Sequence, residues 1–193
     1  MIAGSAIILA GGKSRRMGRD KAALPWGRAT LLDHAARGMG SLFEAVIVVS
    51  GKVPREIAGT LPASDGEPGQ GPLAGLLAGL RRARSPWTFV MACDMPFVKP
   101  DLVRFLWSHA GGNWDAVVPF AGGMSQPLCA CYARTALPRL SALFEAGVRS
   151  LQETLGGLRV RWIEEAGLLR VDPALASFTG LNTPEEYRLA ASQ

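Results

Sequence analysis

The sequence predicts an α/β chain, folded as a three-layer α/β/α sandwich around a mostly parallel, Rossmann-like sheet. Short runs rich in Val and Ile recur along it. They are continuously apolar rather than alternating, which means burial on both faces of a sheet. Helical patterns fall between them, so strand and helix alternate and right-handed crossovers connect the strands. At 193 residues and 48% hydrophobic, the chain can bury one substantial core, and a single domain is expected over residues 1–193.

The first strand is "SAIILA" (5–10), and "TLLDHAARGM" (30–39) is the first helix. "AVIVVS" (45–50) follows as a strand, and "GEPGQGP" (66–72) reads as a flexible loop before the helix "GPLAGLLAGLRRA" (71–83). "WTFVMAC" (87–93) is the next strand. In "KPDLVRFLWSHA" (99–110), Pro100 and Asp101 suit a first helical turn, where a missing N–H costs nothing and a carboxylate complements the dipole. "DAVVPF" (115–120) and "QPLCACYA" (126–133) read as strands paired across "AGGMS". Helices at 135–146 and 149–156, a strand near 158–163 and the helix "TPEEYRLAA" (183–191) complete the chain.

In open α/β sheets, ligands bind beyond the carboxyl ends of strands, where connections diverge to opposite faces. That rule gathers the opening segment "LAGGKSRRMGRDK" (9–21), Ser50, Asp94 and the "GEPGQG" loop on one rim. The opening segment contains Gly-Lys-Ser, the end of a P-loop, but the glycine required five positions before Gly12 is Ile7. The Walker spacing fails. Gly11 and Gly12 would still let phosphate oxygens approach backbone amides. Arg16 could grip a triphosphate with its fork, and Lys21 could follow charge onto a leaving group. The bland alternative is a solvated basic loop.

Asp94, directly after an apolar strand, could hold Mg²⁺, which takes one or two carboxylates and keeps its other positions for water and phosphate. The alternative role is a cap on the following turn. Asn182, in "LNTPEEY", could be a second, neutral ligand or a helix cap. Asp65 could accept from a ribose or a purine amino edge, or serve turn chemistry in "SDGEPG". Gly75 and Gly79 clear one helix face, for packing on the sheet or for a flat base.

The formal net charge is +5, and Lys13, Arg15, Arg16, Arg19 and Lys21 against Asp20 supply most of it. A small polyanion at one site explains that better than a duplex, so no nucleic-acid partner is expected. Cys93, Cys129 and Cys131 are an odd number in a chain that needs no staples, which favours a reducing compartment and core-filling roles. No membrane-spanning run appears, and a cytoplasmic location is expected. His34 and His109 fall in helical patterns away from the rim, and no nucleophilic triad is evident.

"LAGGKSRRMGRDKAALPW", "GPLAGLLAGL", "CDMPFV", "QPL" and "LNTPEEY", in that order over nearly the whole chain, resemble the molybdenum cofactor guanylyltransferases, the MobA family of nucleotidyltransferases. The resemblance implies Mg²⁺-dependent transfer of GMP from GTP to the terminal phosphate of molybdopterin, with release of pyrophosphate. Molybdoenzymes or their chaperones would receive the product. Residues 1–112 would bind the nucleotide and 113–193 the acceptor. Leu9, Ala10 and Gly11 look like the backbone segment that holds the nucleotide, and Gly12 and Arg16 like part of the phosphate loop. Lys21 matches the triphosphate lysine, Asp65 the nucleotide-binding aspartate, Asp94 the magnesium ligand and Asn182 the asparagine of the closing motif; Ser50 and Gly71 complete the expected nucleotide set.

Ser50 and Gly180 depart from the pattern, since similar proteins often carry asparagine at both, and the loop around Arg19 is one residue shorter than in some relatives. "LAGG", where cytidylyltransferases for the same pterin tend to show "LAAG", favours guanine. The alternatives are nucleotidyl transfer to another acceptor, such as a sugar phosphate, and a nucleotide-binding module without turnover. The latter would not need Arg16, Lys21 and Asp94 together.

Overall fold

The computed structural model describes residues 1–11, 20–66 and 69–192. Its strands are β1 (Ile2–Leu9), β2 (Pro25–Trp26), β3 (Ala29–Thr30), β4 (Phe43–Ser50), β5 (Leu61–Ser64), β6 (Trp87–Ala92), β7 (Ala116–Ala121), β8 (Met124–Ser125), β9 (Cys129–Ala133) and β10 (Val160–Ile163). Its α-helices are α1 (Leu31–Gly40), α2 (Gly71–Arg82), α3 (Pro100–Trp107), α4 (Leu137–Glu145), α5 (Leu151–Thr154), α6 (Glu165–Leu168) and α7 (Pro184–Ala191). The main sheet runs β10-β7-β9-β6-β1-β4-β5, with β8 paired to β7 and a separate β2–β3 hairpin.

β5, β4, β1 and β6 are mutually parallel. β9 is antiparallel to both β6 and β7, as its expected pairing with residues 115–120 requires, and β10 returns parallel to β7. β9 is therefore a reversed strand inside a mostly parallel sheet, and the short β8, antiparallel to β7, is a second beside it.

Burial on both faces follows from β1 itself. Ala6 and Ile8 pack with Leu32, Ala35 and Met39 of α1 and with Leu102, Val103 and Leu106 of α3. Ile7 and Leu9 pack on the other side with Leu73, Leu76 and Leu80 of α2 and Leu140 of α4. Each fully buried Leu or Ile contributes about 1.5–3 kcal/mol, so continuous apolarity is what a central parallel strand requires. Gly79 lets α2 approach the sheet: a Cβ there would lie 2.6 Å from Ile7 Cδ1. Packing, rather than an opening for a base, accounts for that glycine.

β1 lies between β4 and β6, reached by chain segments on opposite faces, and this is the switch point of the sheet. A third, smaller core of Leu24, Leu31, Leu181 and Ala190, with Trp26, Phe97 and Tyr187 against it, joins the β2–β3 hairpin to α7. Tyr187 Oη donates to the Pro25 carbonyl. This core pins the segment after residue 181 beside the segment that begins at Asp20.

Candidate functional site

At the switch point a cleft of about 190 Å³ opens beyond the carboxyl ends of β1 and β6, lined by Leu9, Ala10, Gly11, Lys21, Pro72 and Asp94 among others. Two hydrogen bonds lock its floor to the sheet. Ala10 N–H donates to the Val49 carbonyl at 2.8 Å, and Cys93 N–H to the Leu9 carbonyl at 3.1 Å.

Three distant segments meet at one ammonium group. Lys21 Nζ donates to Asp94 Oδ2 at 2.6 Å and to Asn182 Oδ1 at 3.0 Å. Lys21 is placed by a 3₁₀ turn whose N-cap, Asp20, accepts from Ala22 N–H. Asp94 follows β6, and its carbonyl accepts from Leu181 N–H at 2.9 Å, which fixes Asn182 next to it. Thr183, not Asn182, caps α7, in a reciprocal box with Glu186. The amide of Asn182 is thereby left facing Lys21.

Asp94 and Asn182 present one carboxylate and one neutral amide oxygen to a single cation. Hard oxygen donors in that number suit Mg²⁺, which retains water and phosphate oxygens in its other positions. Among the described residues there is no cluster of three or more His, Cys, Asp or Glu such as a fully protein-ligated metal would use. The donor set fits a magnesium ion shared with a substrate.

Asp65 stands over the opening segment: a Cβ on Gly11 would lie 2.8 Å from Asp65 Oδ2, and one on Gly75 3.8 Å from it. Glycine at 11 is what admits the carboxylate. Burial pushes the Asp65 carboxyl above its usual range, against the lowering effect of its own backbone N–H.

Two other expected residues are occupied locally. Ser50 is buried, and its Oγ accepts from Arg55 N–H at 2.9 Å, organising the loop after β4. Gly71 has φ +79°, and a Cβ there would lie 2.6 Å from the Arg149 carbonyl, which accepts from Leu73 N–H at 3.2 Å. Gly71 thus seats the start of α2, and Pro72 next to it lines the cleft. Gly12, Arg16 and the neighbouring bases of the opening segment lie outside the described residues.

Three features were given no site role by the sequence. Asp20 pairs with Arg55 from the loop after β4, and Asp20 lines the cleft. Leu128 contributes a wall from the far side of β6. His34 does not stand away from the rim as expected: its Nε2 lies 3.1 Å from the Pro96 carbonyl, bracing the turn that carries Asp94. The cysteines are core residues, all buried; burial, with Asp94 adjacent, pushes the Cys93 thiol up to about 12. Among the described residues no helix is long and apolar enough to cross a membrane.

Residues 6–160 match the family described as MobA-like NTP transferase domain. A probable molybdenum cofactor guanylyltransferase of Bacillus cereus is 33% identical over 187 residues, 94% of this chain and 92% of the relative. The crystal structure of molybdopterin-guanine dinucleotide biosynthesis protein A from Archaeoglobus fulgidus superposes with a TM-score of 0.80 at 27% identity, covering 97% of each chain. A 2-C-methyl-D-erythritol 4-phosphate cytidylyltransferase from Thermus thermophilus shares the fold, with a TM-score of 0.70 at 21% identity over 99% of this chain and 98% of that one.

Proposed function

Because this chain belongs to the MobA-like NTP transferase family, we propose that it is a nucleotidyltransferase of molybdenum cofactor biosynthesis that transfers GMP from GTP to the terminal phosphate of molybdopterin. A phosphate oxygen of the acceptor forms a bond to the α-phosphorus of GTP. The bond from that phosphorus to the α–β bridging oxygen breaks, and its electron pair leaves with pyrophosphate.

The observation that carries this reading is the convergence of Lys21, Asp94 and Asn182 from three segments at one cleft. In-line displacement at phosphorus needs little covalent help from a protein; positioning and charge stabilisation do most of the work. Lys21 brings a mobile positive charge to the cleft, suited to the charge that builds on pyrophosphate. Asp94 and Asn182 orient that ammonium and would hold Mg²⁺, which when bound neutralises phosphate charge. Leu9, Ala10 and Gly11 supply the floor, and Asp65 the acceptor that suits the N1–H and 2-amino edge of guanine. Arg16 and Gly12 complete the proposed phosphate loop. Cytoplasmic action, and delivery of product to molybdoenzymes or their chaperones, belong to the same reading.

Incubation with α-³²P-labelled GTP, Mg²⁺ and molybdopterin tests it. Label is expected in a guanine dinucleotide, with one pyrophosphate released per transfer and little transfer from CTP. Equal transfer from CTP, or transfer to a sugar phosphate in place of the pterin, would reject it.

A further inference from the structure

Lys21 is the first residue of a three-residue 3₁₀ turn, Lys21–Ala23. A turn that short does not hold itself in place, so what aims the Lys21 ammonium lies outside it. Its far end is anchored in the third core. Leu24, which is buried, donates to the Lys21 carbonyl at 3.1 Å and accepts from Leu31 N–H at 2.9 Å. Its near end rests on Asp20. One oxygen of that carboxylate, Oδ1, accepts from Ala22 N–H at 3.1 Å, and the other, Oδ2, accepts from Arg55 Nη2.

Arg55 is itself fastened to the sheet. Its backbone N–H donates to Ser50 Oγ at 2.9 Å, and Ser50, the last residue of β4, is 2% exposed. A relay therefore runs from the end of β4 through Arg55 and Asp20 to Lys21, and from there to Asp94 and Asn182. The side chains of Arg55 and Asp20 are 37% and 45% exposed, and ion pairs so open to water add little to stability. Nor does the cap need the charge, because asparagine caps a helical turn as well as aspartate does. What remains is placement. The paired side chains of Lys21 and Asp94 are far less exposed, 17% each, and Asp20 lines the same cleft as they do.

We propose that Arg55 is a positioning residue for Lys21, holding through Asp20 the turn that aims the ammonium at Asp94 and Asn182. The effect on rate rests on Lys21 acting in nucleotidyl transfer; the hold on the turn does not. A group that must meet charge on a leaving phosphate tolerates little misplacement, and about 1 Å can cost a hundredfold.

Competitive acetylation with limiting acetic anhydride, read peptide by peptide by mass spectrometry on the full chain without substrates, tests the hold. An ammonium engaged by two acceptors reacts slowly, so Arg55→Gln should raise labelling of Lys21 severalfold and Arg55→Lys should restore most of the protection. Lys99, paired with Asp172 at 2.8 Å, is the internal reference and should not change. Lys21 labelling indifferent to Arg55 overturns the proposal whatever the activity. So does an equal rise at Lys99, because Arg55 would then hold the fold rather than the turn. In transfer assays Arg55→Gln should lower kcat about tenfold with the KM for GTP within about twofold. The same substitution made in Lys21→Ala should cost nothing further, since Arg55 acts only through Lys21. A loss that persists without Lys21 would mean that Arg55 touches the nucleotide itself, and would reject the positioning role. Parent protein in which Arg55 protects Lys21 but which transfers no GMP rejects guanylyl transfer and supports the hold.

Discussion

Two carboxylates stand at opposite ends of the same sheet and hold their cations differently. Asp115, at the start of β7, is 1% exposed. It accepts from Arg159 N–H at 2.9 Å, from Arg159 Nε at 3.2 Å and Nη2 at 3.1 Å, and from Arg139. Burial works to raise its pKa, but the bonds from Arg159 and Arg139 outweigh it and hold the carboxyl below its usual range. Asp94, at the end of β6, shares one ammonium with Asn182 on the wall of an open cleft. Asp115 is saturated by the fork of Arg159, a single bond from Arg139 and a backbone amide, which suits a group that fastens α4 and the entry to β10. Among the described residues Asp94 faces a single flexible cation, which suits a group whose partners change when substrate arrives. The contrast separates a structural carboxylate from a candidate catalytic one without reference to any ligand.

Substitution at the two sites should break the contrast if it is wrong. Asp94→Ala is expected to lower the transfer rate about a thousandfold while the melting temperature moves by no more than a few degrees. Near-normal turnover would remove Asp94 from the mechanism. Lys21→Ala should lower kcat about a hundredfold and weaken GTP binding by less, since charge on the leaving group grows after binding. Unchanged kinetics would make Lys21 a solvated base. Asp115→Ala should do the reverse: unfolding by denaturant is expected to show a loss of about 2–3 kcal/mol with kcat intact. The loss stays below that of a fully buried pair because both guanidinium groups are half exposed, 48% for Arg139 and 51% for Arg159, and can turn to water.

Acidification should part the sites as well. The folded pKa of Asp115 is lowered, so its stabilisation is present above the usual carboxylate range and is lost as pH falls through the folded value. The Asp65 carboxyl is raised by burial, and in the proposed function it must be ionised to accept from guanine. GTP affinity should therefore begin to fall at a higher pH than stability does, and Asp65→Asn should remove that early step. Calorimetric GTP titrations beside melting curves over the same pH series read both. A single shared transition would show that Asp65 plays no part in nucleotide binding.

The same contrast shows what a linear sequence discloses. Asp94 and Lys21 were legible because each sits beside a local pattern, an apolar strand end or a glycine-rich turn. The role of Asp115 was not, since its partners lie 24 and 44 residues away. Asn182 was half legible: cap and ligand use the same residue type, and only the small core around Leu24, Leu31 and Leu181 turns its amide toward Lys21. β5, "LPAS", escaped detection because four residues at a sheet edge are too few for a period to show and Pro62 reads as a strand breaker. The β2–β3 hairpin has two residues per strand, too few for any period to show.

Gly180 offers the smallest and sharpest change. A Cβ added there would meet Asn182 Nδ2 at 3.4 Å and Asp94 Oδ1 at 4.0 Å, both ordinary contacts, and its backbone does not need glycine's left-handed region. Gly180→Asn should therefore fold as well as the parent, within about 0.5 kcal/mol, and place a second amide beside Asp94. A neutral donor there adds nothing that binds the base, so GTP affinity should stay within about twofold, whereas the KM for molybdopterin should move severalfold, an effect of about 1 kcal/mol typical of one neutral hydrogen bond. A change in GTP affinity with molybdopterin unaffected would place Gly180 on the nucleotide side of Asp94 and move the acceptor phosphate to the Leu128 wall of the cleft.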